Sequence, residues 1–201
     1  MKVVVVTGGI GSGKTSACRF LSKEYGWPVY SADDKVKELY YRFPDIVRKI
    51  EAELDECFTD EQGRFVPALL AAVIFSDQDA LRKVEDIVFP KLTEDFAEWK
   101  AGQCGSDYVI LESATILEKP SLRNLGNITI LVDAPVGVRE SRAVERDGAS
   151  PEAVRQRMKN QHLMNSISEG IAEVDVDYIV RNDSTEGELY EKLRNIAENI
   201  L

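Results

Sequence analysis

The stretch Gly8-Gly9-Ile10-Gly11-Ser12-Gly13-Lys14-Thr15 constrains this chain more than any other feature, because it fits G-x-x-x-x-G-K-[ST] in full. It follows the apolar run Val3 to Val6, which reads as a fully buried parallel strand. A helix is expected from about Lys14, with Ala17, Phe20 and Leu21 at core-facing spacing, ending near Gly26. Pro28 then opens a short second strand through Val29 and Tyr30. Strand, glycine loop, helix and strand make a βαβ unit, whose crossover is right-handed in nearly all cases. The alternative, a glycine-rich turn that binds nothing, is disfavoured by the buried strand before the motif and the helix after it.

Each part of the motif has a chemical reason. Glycines at Gly9, Gly11 and Gly13 permit backbone angles closed to other residues, so successive N–H groups turn inward as an anion-binding nest. The loop, through Ser12, empties into a helix N-terminus at Lys14, Thr15 and Ser16, whose unpaired N–H groups favour phosphate. Lys14 brings a full positive charge to the outer phosphates of ATP, and the Thr15 hydroxyl is suited to ligate Mg²⁺.

Beyond this unit, residues 34–103 read as mostly helical, with Asp45 and Ser76 as expected helix caps and Asp60-Glu61-Gln62-Gly63 as a turn. Strand patterns resume at Tyr108 to Leu111, Ile128 to Val132 and Tyr178 to Val180. Helices are expected after Pro135, at Ser150-Pro151 and at Thr185-Glu186-Gly187-Glu188, a capping-box pattern that leads into Leu189, Leu193, Ile196, Ala197 and Ile200. The expected fold is therefore α/β, of the P-loop NTPase type. A parallel five-stranded sheet carries helices on both faces, and one large helical insertion interrupts it. The whole chain of 201 residues is one domain: core 1–33, 104–138 and 172–201, insertion 34–103, lid 139–171.

Several functions are disfavoured. A GTPase needs a DxxG switch after a strand and an NKxD guanine reader; Asp60 to Gly63 matches DxxG in letters only, and no NKxD occurs. A large ATPase motor needs more chain and a strand ending in Asp, whereas the third strand ends at Glu112. Net charge is -10 without a dense run of Lys and Arg, which argues against nucleic acid. Cys18, Cys57 and Cys104 form neither a disulfide framework nor a zinc site and suit a reducing cytosol. The N-terminal apolar run is too short for a signal peptide or a membrane span, so a cytoplasmic location is expected. A kinase for a small-molecule hydroxyl remains.

Two further features have both a functional and a bland reading. Asp33, just past the second strand, is placed to accept a hydroxyl proton or help hold Mg²⁺, and is equally placed to cap a helix. Arg139, Arg142 and Arg146 recur at helical spacing; arginines there can clamp phosphate oxygens, but interleaved Glu140 and Glu145 make a solvated face the better reading of the charge pattern. His162, the only histidine, reads as a surface helix residue, and Trp27 and Trp99 as core.

The opening Thr7 to Lys14 resembles the dephospho-coenzyme A kinases, and the resemblance runs most of the chain. It implies ATP with Mg²⁺, dephospho-coenzyme A as small-molecule substrate, and transfer to the ribose 3′-hydroxyl. It implies Asp33 as catalytic aspartate, Arg142 and Arg146-Asp147 as the R-x-x-x-R-D of a lid, and Gln161 as a lid glutamine. It also implies Asn182 after the last strand as an adenine contact, Glu118 closing a P-L-L-x-E stretch, and the helical insertion as receptor for the coenzyme A moiety. Two departures fall on the acceptor side. Phe89-Pro90 stands where the family carries His-Pro, and Ala114-Thr115-Ile116-Leu117-Glu118 lacks the proline. Phe89 also has a bland reading, an aromatic at a helix end buried in the core. A same-fold kinase for a nucleoside or sugar acid, and a nucleotide-binding regulator without turnover, stay open beside this reading.

Overall fold

A computed structural model describes residues 1–159, 161–168 and 175–201. The first strand, β1 (Lys2–Thr7), leads through the glycine loop into α1 (Lys14–Tyr25), and β2 (Val29–Ser31) follows. Later in the chain come β3 (Tyr108–Glu112), a 3-10 turn at Ile116–Glu118, the short α6 (Pro120–Arg123) and β4 (Ile128–Asp133), then α7 (Val136–Asp147) and α8 (Pro151–Lys159). α9 (His162–Ser168), β5 (Tyr178–Arg181) and α10 (Glu186–Ile200) complete the C-terminal half. All strand pairs are parallel, in the order β2-β3-β1-β4-β5. The register sets Val6 opposite Glu112 and Thr7 opposite Leu131, so the loop leaves the sheet between the ends of β3 and β4.

β1 sits at the centre of the sheet, which explains its four consecutive valines: both faces are covered and alternation would be a fault. On one face Val4, Val6, Ile110, Ile130, Val132 and Val180 pack with Ala17, Phe20 and Leu21 of α1 and Leu189, Leu193 and Ala197 of α10. Trp27 belongs to this core and stacks on Tyr108, and Phe20 stacks on Tyr190. α10 starts with one half of its expected capping box: the Thr185 hydroxyl accepts the Glu188 N–H, while the Glu188 carboxylate accepts from the Ser184 hydroxyl. Thr185→Ala should therefore cost about 1 kcal/mol, visible as a lower midpoint in urea with an unchanged slope.

The chain divides into two compact units, residues 1–31 with 103–201, and 32–102. The second unit is α2 (Ala32–Arg42), α3 (Pro44–Leu54), α4 (Pro67–Ser76) and α5 (Gln78–Ala101). The last helix contributes Ala80, Val84, Val88, Leu92 and Phe96, an unbroken buried stripe. Pro90 lies inside this helix, so Phe89 is not at a helix end as expected; it is half-buried at mid-helix. Proline in a helix interior costs about 3 kcal/mol. The buried stripe on both sides of it gains more, at roughly 1.5–3 kcal/mol per large apolar side chain.

Caps in this unit differ from expectation. Asp77 caps α5, accepting from the Asp79 and Ala80 N–H groups, while Ser76 ends α4 with its hydroxyl turned back to the Ala72 and Val73 carbonyls. Asp45 occupies the first turn of α3 behind Pro44 rather than the cap. The Asp60 turn is present, its carboxylate accepting from the Gln62 and Arg64 N–H groups. Arg42 reaches the buried Asp95 at 2.6 Å. Trp99 is half-buried and stacks on Phe96.

Candidate active site

The glycine loop has the backbone that its sequence demands. Gly11 and Gly13 have φ of 74° and 103°, in the left-handed region, and Gly13 is the N-cap of α1. Space forbids side chains here as well as torsion. A Cβ on Gly11 would strike the backbone carbonyl of Arg139, one on Gly9 the Arg139 guanidinium, and one on Gly13 the Asn182 amide. The Ser12 hydroxyl is buried and finds no hydrogen-bond partner among the described residues.

Three side chains from elsewhere in the sheet unit brace this loop. Asn182, next after β5, donates its amide to the Ser12 carbonyl at 2.7 Å. Gln161 accepts the Ile10 N–H through Oε1 at 2.7 Å. Arg139 donates Nε–H to the Ile10 carbonyl at 3.1 Å and an Nη2 proton to Asn165 Oδ1 at 3.1 Å. Asn165 in turn donates to the Met158 carbonyl. Burial pushes the Arg139 pKa down, and the charge of Asp133 works against that shift. A guanidinium stays protonated even so, which makes Arg139 a buried fixed cation beneath the loop.

This corrects the reading of the arginine row as a solvated face. Arg139 is completely buried. It shares a helical stripe with Val136 and the buried Ala143, so it fills a core-facing slot that an apolar residue would normally take. Arg142 donates to the Asn182 carbonyl at 2.9 Å and, with Gly13, Ser16, Asn182, Glu186 and Leu189, lines a cavity of about 200 Å³. Arg146 stands apart, forked onto its neighbour Asp147 at 2.7 Å. Asp147 also pairs with Arg157, and these two arginines hold its carboxyl far below the usual range.

Gln161, expected as a lid glutamine, lies against the phosphate loop through the bond it accepts from Ile10. Glu118 ends the 3-10 turn, half-buried. Asp33 is an exposed carboxylate in the first turn of α2, two residues after the end of β2. The His162 side chain and residues 160 and 169–171 of the expected lid, with residues 172–174 of the expected core, lie outside the described residues.

On the opposite side of α1 from Asn182, the Thr15 hydroxyl donates to Glu112 Oε1 at 2.7 Å. Both residues line a cavity of about 300 Å³ with Cys18, Arg19, Ser22, Lys23 and Val29. Burial pushes the Cys18 thiol well up, the Glu112 charge adds to the rise, and Lys14 opposes it. Cys18 is buried and packs in the core of this face. Lys14 lies over the loop with Nζ 3.4 Å from the Gly9 carbonyl.

Glu112 was set aside in the sequence because an ATPase strand was expected to end in Asp. Its signal was present: an acid closing an otherwise apolar strand. Arg139, Asn165 and the support role of Gln161 had weaker signals, since each acts on residues more than a hundred positions away or through a partner that does.

Residues 2–190 match the CoaE family, described as dephospho-CoA kinase. The chain belongs to the dephospho-CoA kinase family. A dephospho-CoA kinase of Porphyromonas gingivalis is 39% identical over 182 residues, covering 90% of this chain and 86% of that one. Among solved structures, a Thermus thermophilus protein superposes with a TM-score of 0.81 at 24% identity, covering 100% of this chain and 98% of its own. A dephospho-CoA kinase of Campylobacter jejuni superposes at 0.63 with 19% identity, covering 100% of this chain and 98% of that one. These two likenesses establish the fold, and the five-stranded parallel sheet agrees with it. Among the described residues no helix is long and apolar enough to cross a membrane.

Proposed function

We propose that this chain transfers the γ-phosphoryl group of ATP to the ribose 3′-hydroxyl of dephospho-coenzyme A, giving coenzyme A and ADP. The observation that carries the ATP half is the braced glycine loop, in which Asn182, Gln161 and Arg139 hold the Ser12 and Ile10 backbone groups at the helix N-terminus. The acceptor half rests on membership of the family.

Lys14 and the loop amides bind the β- and γ-phosphates, and the Thr15 hydroxyl is a ligand of Mg²⁺. The oxygen donors at Thr15 suit that hard cation, whose chemistry is to neutralise charge on the transferring phosphoryl group. The cavity beside Asn182 and Arg142 is the place for the adenosine half of ATP. Arg142 offsets phosphoryl charge as the lid segment closes, whereas Arg146 acts there only by leaving Asp147. Asp33, tied by two residues of chain to the carboxyl end of β2, orients the acceptor hydroxyl and takes its proton. Closure that excludes water suppresses transfer to water. Glu118 and Phe89 are left as acceptor-side residues, and a cytoplasmic site of action fits a biosynthetic kinase.

Steady-state turnover coupled to ADP release tests this directly. Dephospho-coenzyme A should give stoichiometric coenzyme A, and nucleosides and sugar acids should give at least a hundredfold lower kcat/KM. Preference for another hydroxyl would show that Phe89 marks a changed acceptor. Tight Mg·ATP binding with no product from any acceptor would favour a regulator.

A further inference from the structure

We infer that Ile10 is a positioning residue that ties the helices α7 and α8 to the phosphate loop, so that these helices and a bound triphosphate stay in fixed register. The inference rests on the kinase reading above and adds a residue to it. Gly9 to Ser12 form a tight turn: the Ser12 N–H donates to the Gly9 carbonyl at 3.1 Å, and Gly11 takes the left-handed third position. Such a turn makes no use of the N–H and C=O of its second residue, which here is Ile10. Both groups go to one distant stretch of chain. Gln161 Oε1 accepts the N–H at 2.7 Å, and Arg139 donates Nε–H to the carbonyl at 3.1 Å.

The side chain goes the same way. A turn commonly carries small or polar residues, yet Ile10 packs on the buried Ala143 of α7 and the buried Val154 and Met158 of α8. Val154 and Met158 are one turn apart on α8, and the Gln161 N–H continues that turn by donating to the Met158 carbonyl at 3.0 Å. One face of α8 and the residue that prolongs it therefore meet Ile10. Amide, carbonyl and side chain of a single loop residue are thus held by segments 129 to 151 positions away. The amides that follow Ile10 in the loop cradle phosphate, and α7 carries Arg142. Holding Ile10 puts both in one frame, and a displacement of about 1 Å between them is enough to slow transfer. A loosened root of these helices also admits water to the γ-phosphoryl group.

Ile10→Ala cuts the apolar part of the tie and keeps both backbone bonds. Two measurements read it. One is hydrogen exchange of α8 and the loop with and without Mg²⁺ and a non-hydrolysable ATP analogue; the other is coenzyme A formed per ADP released at steady state. In wild type the analogue should slow exchange in the loop and in α8 alike. In I10A the loop should keep that protection and α8 should lose it. Turnover should fall roughly tenfold to a hundredfold. Coenzyme A per ADP should drop below the wild-type yield, the missing share appearing as inorganic phosphate from transfer to water. Ile10→Val, which keeps most of the contact, should recover both readouts. Met158→Ala loosens the same contact from the α8 side and should also remove the α8 protection, and the double variant should add little to either single one. An α8 that the analogue leaves unprotected in wild type, or still protects in I10A, overturns the inference. So does a lower melting temperature of I10A with turnover and yield unchanged, which would make Ile10 a packing residue alone. A wild type whose α8 is protected by the analogue but which makes no coenzyme A overturns the kinase reading and leaves the tie in place.

Discussion

Asp33→Asn is expected to lower turnover with dephospho-coenzyme A by roughly 10²-fold or more while leaving the affinity for Mg·ATP nearly unchanged. The substitution discriminates well because the bland role of Asp33 survives it. As an exposed residue in the first turn of α2, Asp33 favours that helix start through its charge and its short polar side chain. Asparagine is as good as aspartate near a helix N-terminus, apart from a few tenths of a kcal/mol of dipole interaction. The folded protein should therefore have nearly the same melting temperature. What asparagine cannot do is accept a proton from the attacking hydroxyl. Stopped-flow measurement of the chemical step with calorimetry of nucleotide binding separates the two effects. Wild-type turnover in D33N would leave Asp33 as a helix-start residue and move the search for the base elsewhere.

Arg139→Ala should be the most damaging single substitution in the sheet unit. It deletes a completely buried side chain and strands the Ile10 carbonyl and the Asn165 amide oxygen that it serves. It also leaves the charge of Asp133 with less opposition. Removing a buried cation from such a network costs about 3–5 kcal/mol. For a chain of this size that lowers the melting temperature by roughly 10 °C. Nucleotide binding should fall further than stability alone explains, because the loop backbone loses its floor where Gly9 and Gly11 lie against Arg139. Arg139→Lys should restore only part of either, since an ammonium lacks the planar fork that serves two acceptors at once. Differential scanning calorimetry with and without Mg·ATP reads both effects. An unchanged melting temperature in R139A would show that the Arg139 network contributes little.

The sequence by itself determined what depends on neighbours along the chain. The valine run, the glycine pattern, the proline and threonine starts of α8 and α10 and the Asp60 turn are set by local backbone preferences and by period, and they stand where those rules put them. The phosphate loop was legible for the same reason: its torsions are encoded within the eight residues that use them. Tertiary structure decided everything that pairs distant segments. The order β2-β3-β1-β4-β5 is one such outcome. So is the bond from Ile10 to Gln161 across 151 positions, and the bond from Thr15 to Glu112 across 97. Charge spacing along α7 could not separate Arg139 from Arg146, since periodicity gives the face of a helix but not what that face meets. Packing made the first a buried support and left the second on the surface with Asp147. The passage of α5 through Pro90 has the same origin: local preference argues for a break, and the burial of apolar side chains on both sides of the proline outweighs it.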